Sequence, residues 1–212
     1  MNNQRLTSYL TKLRKPSSGW QRKLEELAER DHVPIMEREG IDLLKQLLRL
    51  KHPERILEIG TAIGYSALQM SEAVPGASIV TIERDTAMIE QANQHFKQYD
   101  QEKKITLIPG DAFDSFEAVE EKGPYDVIFI DAAKGQYKRF FEKFSPLLME
   151  QGIIITDNIL FHGYVVDSSL AVKRLRKLAE KIDHYNHWLS NHSDYLTEFI
   201  PMGDGIAVSI KK

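Results

Sequence analysis

From Arg55 onward the chain passes five times from a short apolar run to a helix-like segment. RILEIG leads to GYSALQM, SIVTIE to TAMIEQANQHF, ITLIPG to DAFDSF, YDVIFID to QYKRFFEKFSPLL, and GIIITDN to the stretch ending in KRLRKLAEK. Strands that recur with helices between them run mostly parallel and are covered on both faces, because each crossover carries the chain back over the sheet. LTEFI and IAVSI follow, separated by Pro201, Gly203 and Gly205, and predict a hairpin on the sheet edge. Residues 2 to 50 show no strand pattern, and Ile41, Leu44, Leu47 and Leu48 recur at helical spacing. The expected organisation is a single α/β domain over 1–212, with a helical N-terminal part (1–50) and a sheet core (55–212).

Composition narrows the chemistry. The chain has 212 residues and no cysteine, so a disulfide framework, a thiolate zinc site and a cysteine nucleophile are excluded. No apolar run is long enough to span a bilayer, and the first twenty residues lack the apolar core of a signal peptide. A cytoplasmic protein with no membrane partner is expected. Net charge is −3, yet residues 1 to 30 carry seven basic side chains against three Glu, and KRLRK at 173 to 177 forms a second basic run. Either run reads as a solvated helix face or as an electrostatic footprint for a phosphate backbone.

In a sheet of this kind ligands gather beyond the carboxyl ends of the strands, near the point where strand order reverses. Read in order, those ends carry Glu58 and Gly60, Glu83, Gly110 and Asp111, Asp131, and Asp157 with Asn158. The first turn, EIGTAIGYS, has G-x-x-x-G where a dinucleotide fingerprint has G-x-G-x-x-G. A glycine there permits close backbone approach, and the helix start near Ser66 offers donors to a carboxylate. Glu83 is placed to accept ribose hydroxyls, so a nucleoside bearing an amino acid, S-adenosylmethionine, fits these parts better than a dinucleotide. Asp131, Asp157 and Asn158 converge if the fourth and fifth strands are neighbours. Hard oxygen donors favour Mg²⁺, with Ca²⁺ or Mn²⁺ as competitors. Lys134 lies close enough to stabilise an oxyanion or accept its proton.

EIGTAIGYS, TIER, PGDA, FIDAAKGQY, TDN and PMGDGIAVSI together resemble the cation-dependent O-methyltransferases of the catechol and caffeoyl-CoA type, over roughly residues 33 to 212. The resemblance implies a Rossmann-like, seven-stranded, mostly parallel sheet with an antiparallel last strand, S-adenosylmethionine as donor, and Mg²⁺ on two vicinal substrate oxygens. It implies a donor site of Ile35, Glu58, Gly60, Thr61, Ser66, Glu83, Asp111, Ala112 and Asp131. The metal ligands would be Asp131, Asp157 and Asn158, and the catalytic lysine Lys134, with Asp131 beside it. Ala133 departs from the acidic residue of the plant enzymes, and Ala132, Ala133, His162 and Tyr164 replace bulky aromatic gatekeepers.

Within the family the resemblance is nearest to bacterial enzymes that methylate 5-hydroxyuridine at the tRNA wobble position, giving 5-methoxyuridine. O5 and O4 of that base are vicinal, as in a catechol, and an unpaired wobble base needs no duplex broken to reach a pocket. RNA contacts are then expected from Arg5, Lys12, Arg14, Lys15, Arg22, Lys23, Lys173, Arg174, Arg176 and Lys177 around an anticodon loop. The alternatives are an O-methyltransferase of small catechols or phenolics, and a non-catalytic S-adenosylmethionine- or RNA-binding module. A homodimer is expected from the resemblance and from the amphipathic N-terminal helices. His184, His187 and His192 read as a helix end and loop rather than as a zinc site, and Tyr9 and Trp20 as buried packing or subunit-contact residues.

Overall fold

The computed structural model describes residues 3–212. The chain forms two compact units, Met1–Val33 and Pro34–Lys212. The first holds α1 (Asn3–Leu13) and α2 (Gly19–Asp31). Ser18 starts α2, its backbone N–H donating to Gln21 Oε1 at 2.8 Å, and His32 ends it in the left-handed conformation at φ 53°.

The second unit begins with α3 (Arg38–Lys51) and continues through β1 (Arg55–Ile59), α4 (Tyr65–Ala73), β2 (Ser78–Glu83), α5 (Thr86–Tyr99) and β3 (Ile105–Pro109). After these come α6 (Phe116–Glu120), β4 (Tyr125–Ile130), α7 (Tyr137–Phe144), β5 (Leu148–Thr156), α8 (Lys173–Ser190), β6 (Tyr195–Ile200) and β7 (Ile206–Lys211). The seven strands form one sheet in the order β3-β2-β1-β4-β5-β7-β6, with β7 antiparallel to both its neighbours. β1 and β4 are runs of β-branched and aromatic residues buried on both faces: Ile56, Leu57, Val127, Ile128, Phe129 and Ile130 have no exposed surface. That two-sided burial is what a central parallel strand requires. The edge strand β3 is only half-buried.

Two boundaries differ from expectation. DAFDSF does not open a helix; residues 111–115 form a turn, fixed by Asp111 Oδ1 accepting the Phe113 N–H at 3.0 Å, and the short α6 starts only at Phe116. β5 begins at Leu148, before Gly152, because SPLL closes a 3-10 turn at Leu147 and the strand follows directly. Among the described residues no helix is long and apolar enough to cross a membrane.

Strand order reverses between β1 and β4, and the register there places the site. Ile59 pairs with Ile130, and Ile130 with Thr156. The ladder runs one rung further, Asp131 N–H to Ile59 O at 3.0 Å and Asp157 N–H to Ile130 O at 3.1 Å. Gly60, Asp131 and Asp157 therefore leave the sheet abreast.

Candidate active site

A cavity of about 700 Å³ opens over these strand ends. Its wall includes Ile35, Gly60, Thr61, Ser66, Glu83, Asp111, Ala112, Asp131, Lys134 and Asn158, so the sequence-predicted residues are brought together with two exceptions, Glu58 and Asp157. Both lie behind the wall, with 0% and 2% of their surfaces exposed.

Glu58 is a correction to the reading of the first strand end. It sits inside β1 rather than after it, and its carboxylate accepts the hydroxyls of Ser66 and Thr81. Thr81 also bonds Thr61 at 2.5 Å. Burial pushes the Glu58 carboxyl up to about 8, against the two hydroxyl hydrogen bonds. The group braces the turn from below and does not face the cavity. Ser66 has its hydroxyl committed to Glu58, and what it presents outward is the first turn of α4, where backbone N–H groups lack helical partners.

The turn glycines also have another reason than ligand approach. Gly60 has φ +104°, and a Cβ there would lie 2.0 Å from the Asp131 carbonyl oxygen; Gly64 has φ +84°, and its Cβ would meet the Phe96 ring at 2.5 Å. Close packing of β1 on β4 and of the turn on α5 demands both. The Glu83 carboxylate is fixed by three backbone donors, Arg84 and Asp85 on Oε1 and Ala62 on Oε2, each at 2.9 Å. Oε2 keeps an open lone pair for a hydroxyl. Further along the wall Arg84 Nη1 stands 3.6 Å from Asp111 Oδ2. Phe140, 5% exposed, joins Ala112 in an apolar slot beside it. Phe140, Arg84, Met36, Leu175 and Leu178 line the cavity without having been singled out from the sequence. Only the topology brings α7 and α8 to this edge.

At the opposite end Asp131, Asp157, Asn158 and Lys134 come together. Lys134 Nζ donates to Asn158 Oδ1. Asp157 Oδ2 is buried with no hydrogen-bond partner, and so is the Tyr137 hydroxyl. Burial raises the carboxyl of Asp131, which the Lys134 charge opposes. Burial, then the neighbouring Asp131 charge, push Asp157 up to about 8. The same burial lowers the Lys134 ammonium, against the charges of Asp131, Asp157 and Asp204. Two carboxylates, one with an orphaned oxygen, and a carboxamide oxygen match a hard divalent cation in number and kind. Among the described residues no three His, Asp or Glu side chains are grouped to hold a metal ion, so the set depends on Asn158. His184, His187 and His192 are separately engaged with Glu180 O, with Asp183, and with the Trp188 and Tyr195 rings.

Of the expected RNA contacts, Lys173, Arg174, Arg176 and Lys177 form the first turns of α8 and are exposed. Leu175 and Leu178 of the same turns reach the cavity wall. Arg176 Nε is held by Ala171 O at 2.7 Å. Arg5, Lys12, Lys15, Arg22 and Lys23 are exposed on the N-terminal unit, with Arg14 half-buried. Ala132, Ala133 and His162 border the cavity, whereas Tyr164 packs edge-on against Phe161.

A doubly wound sheet with one reversed strand, a glycine turn and a carboxylate at successive strand ends, and an acidic floor with a buried lysine define a nucleoside-dependent transferase fold. The family model for O-methyltransferases matches residues 15–212. A Populus kitakamiensis caffeoyl-CoA O-methyltransferase is 31% identical over 172 residues, 78% of this chain and 73% of that protein. The crystal structure of a candidate caffeoyl-CoA O-methyltransferase from Staphylococcus aureus is 42% identical, covers 99% of both chains and superposes with a TM-score of 0.89. The SAH-bound Podospora anserina methyltransferase PaMTH1 is 25% identical over 99% of this chain and 95% of its own, with a TM-score of 0.85. The chain belongs to the O-methyltransferase family.

Proposed function

We propose that this protein is a Mg²⁺-dependent O-methyltransferase that carries the methyl group of S-adenosylmethionine to the 5-hydroxyl of 5-hydroxyuridine at the tRNA wobble position. The observation that carries the reading is the floor of the cavity: a lysine with its ammonium lowered by burial, beside two buried carboxylates and Asn158. A passive binding module has no use for that set. Donor binding is supported by the nucleoside-shaped run of Gly60, Glu83, Asp111 and Phe140, and by the SAH-bound relative.

When bound, the donor supplies an electrophilic methyl group. A divalent cation, when bound, would supply Lewis acidity that lowers the pKa of a substrate hydroxyl. Asp131 and Asp157 would hold it, with Asn158 Oδ1 as the neutral ligand. Glu83 Oε2 orients the ribose, and the first turn of α4 faces the donor carboxylate. Lys134 Nζ, whose pKa burial lowers against the charges of Asp131, Asp157 and Asp204, accepts the proton of the attacking hydroxyl. Phe140, Leu175 and Leu178 keep water from the methyl path.

The tRNA assignment rests on α8, whose cationic turns 173–177 stand outside the same wall that Leu175 and Leu178 line. A small phenol needs no such rim, although the apolar wall would also receive its ring. Tyr9, Leu10 and Leu13, exposed on α1, support a homodimer, which a solution mass measurement checks. The deciding experiment is mass spectrometry of nucleosides after incubation with donor, Mg²⁺ and 5-hydroxyuridine-containing tRNA, with a catechol arm and EDTA controls. EDTA-sensitive 5-methoxyuridine supports the reading. Methylation of the catechol alone replaces the substrate, and no transfer in either arm overturns the enzyme.

A further inference from the structure

The segment after the fifth strand is held in an unusual conformation. Asn158 (φ 57°), Phe161 (φ 47°) and His162 (φ 55°) all lie in the left-handed region, followed by Gly163 at φ 80°. Asparagine and histidine enter that region more readily than most residues, but phenylalanine rarely does, so the surroundings of Phe161 must impose it. The neighbour that does so is the turn joining β6 to β7. Ile159 N–H donates to Gly205 O at 3.1 Å and Leu160 N–H to Asp204 O at 2.9 Å. The His162 N–H donates to the Asp204 carboxylate. Gly205 is seated so tightly that a Cβ would lie 2.5 Å from Leu160 Cγ.

Asp204 has more to give than that hydrogen bond. Its side chain is 4% exposed, and its second oxygen, Oδ2, is buried without a hydrogen-bond partner. A buried carboxylate oxygen left unpaired is costly. The group facing it is the His162 ring, with Nδ1 at 3.8 Å, while the ring itself is 63% exposed at the cavity border. One carboxylate thus pins the backbone of the turn and addresses the imidazole that the turn presents.

We infer that Asp204 is a positioning residue for acceptor binding, acting through His162. Its negative charge favours the proton on Nδ1, leaving the Nε2 lone pair toward the cavity as a fixed acceptor for an N–H or O–H of the methyl acceptor. An imide N–H beside a chelated carbonyl, as in 5-hydroxyuracil, is one group of that chemistry, and a second phenolic hydroxyl is another. The inference concerns whichever acceptor the protein methylates. It rests on the methyl-transfer reading alone and not on the identity of the RNA.

The test compares Asp204→Asn, His162→Ala and the double variant in full-length protein, using acceptor kinetics, SAH binding by calorimetry, and ¹H–¹⁵N spectra of the histidine rings. Asp204→Asn is expected to raise the acceptor KM about tenfold while changing kcat less than about twofold, with SAH affinity unchanged. The double variant is expected to be no worse than His162→Ala, because the two residues act as one unit. The native spectrum is expected to show the His162 proton on Nδ1, and Asp204→Asn to shift it toward Nε2. Additive losses, an unchanged KM, or a fall in SAH affinity alongside KM would each overturn the inference. So would an unaltered His162 tautomer, a result readable even if neither acceptor is methylated and the methyl-transfer reading itself fails.

Discussion

Glu58 carries a proton at neutral pH in this fold, because burial outweighs the hydroxyls of Ser66 and Thr81 and moves its carboxyl from 4.5 to about 8. The folded-state value lies above the unfolded one, so the folded protein binds the extra proton. Its contribution to stability is complete below pH 4.5 and is lost as pH rises through about 8. Glu58→Gln keeps the shape and removes the titration. The melting temperature of the variant relative to the native protein is expected to climb from pH 4.5 to pH 8, by about 2–4 °C per kcal/mol recovered in a chain of this size. Parallel profiles would show that Glu58 is ionised in the fold. Lys134 gives the complementary case: Lys134→Gln is expected to lower kcat by about 10²–10⁴ with SAH affinity intact, and a loss of SAH binding would reassign it to the donor site. The position of Lys134 was legible from its strand end, whereas Glu58 was read as following β1 and lies within it, facing away from the cavity. Four successive residues of β1 are buried, so no alternation marks which side chain faces the ligand.

At the scale of elements, what the sequence disclosed was the strand-helix rhythm, because two-sided burial writes itself as unbroken apolar runs. It did not disclose α6, since DAFDSF carries helix-compatible residues and only the Asp111 turn decides against them. Nor did it disclose that α7 and α8 supply Phe140, Leu175 and Leu178 to the cavity, which is a property of crossovers and not of spacing. The β1–β4 junction is the least tolerant of these contacts. Gly60→Ala would place a methyl 2.0 Å from a backbone oxygen in a conformation that side chains rarely adopt. A cost of roughly 1–3 kcal/mol from strain alone is expected, with SAH affinity reduced more than about tenfold. A variant that melts and binds like the native protein would show that β1 and β4 can separate there freely. On α8, Arg176 is engaged with the backbone at Ala171, whereas Lys173, Arg174 and Lys177 have no acidic partner among the described residues. Replacing those three by Gln is expected to weaken tRNA binding and flatten its salt dependence by roughly 0.7–0.9 in log–log slope for each phosphate no longer neutralised. Methylation of a free catechol, if native protein performs it, should be untouched. An unchanged salt slope would move the RNA footprint to the N-terminal basic residues.

For the whole molecule, the register of one sheet sets an electrostatic problem that the proposed cation would solve. Ile59, Ile130 and Thr156 stand in line, so Asp131 and Asp157 emerge side by side into a buried floor. The sequence placed them there conditionally, on β4 and β5 being neighbours, and the topology meets that condition. It could not show that Asp157 is covered, which is what makes the pair so unfavourable when both are charged. Without a cation Asp157 is pushed from 3.8 to about 8, so its share of stability is complete below pH 3.8 and is lost as pH rises through about 8. Binding a divalent cation needs the ionised carboxylates, so each step up in pH within that window weakens the empty fold and favours the loaded one. The rise in melting temperature caused by millimolar Mg²⁺ should therefore be larger at pH 8 than at pH 6, and EDTA should reverse it. Asp157→Asn removes one charge of the pair and should abolish both the decline of the apo protein attributable to this site and the pH dependence of the Mg²⁺ effect. If Mg²⁺ shifts the melting temperature equally at both pH values, or shifts the variant as it does the native protein, the two carboxylates do not hold the cation, and the proposed site on Asp131, Asp157 and Asn158 fails.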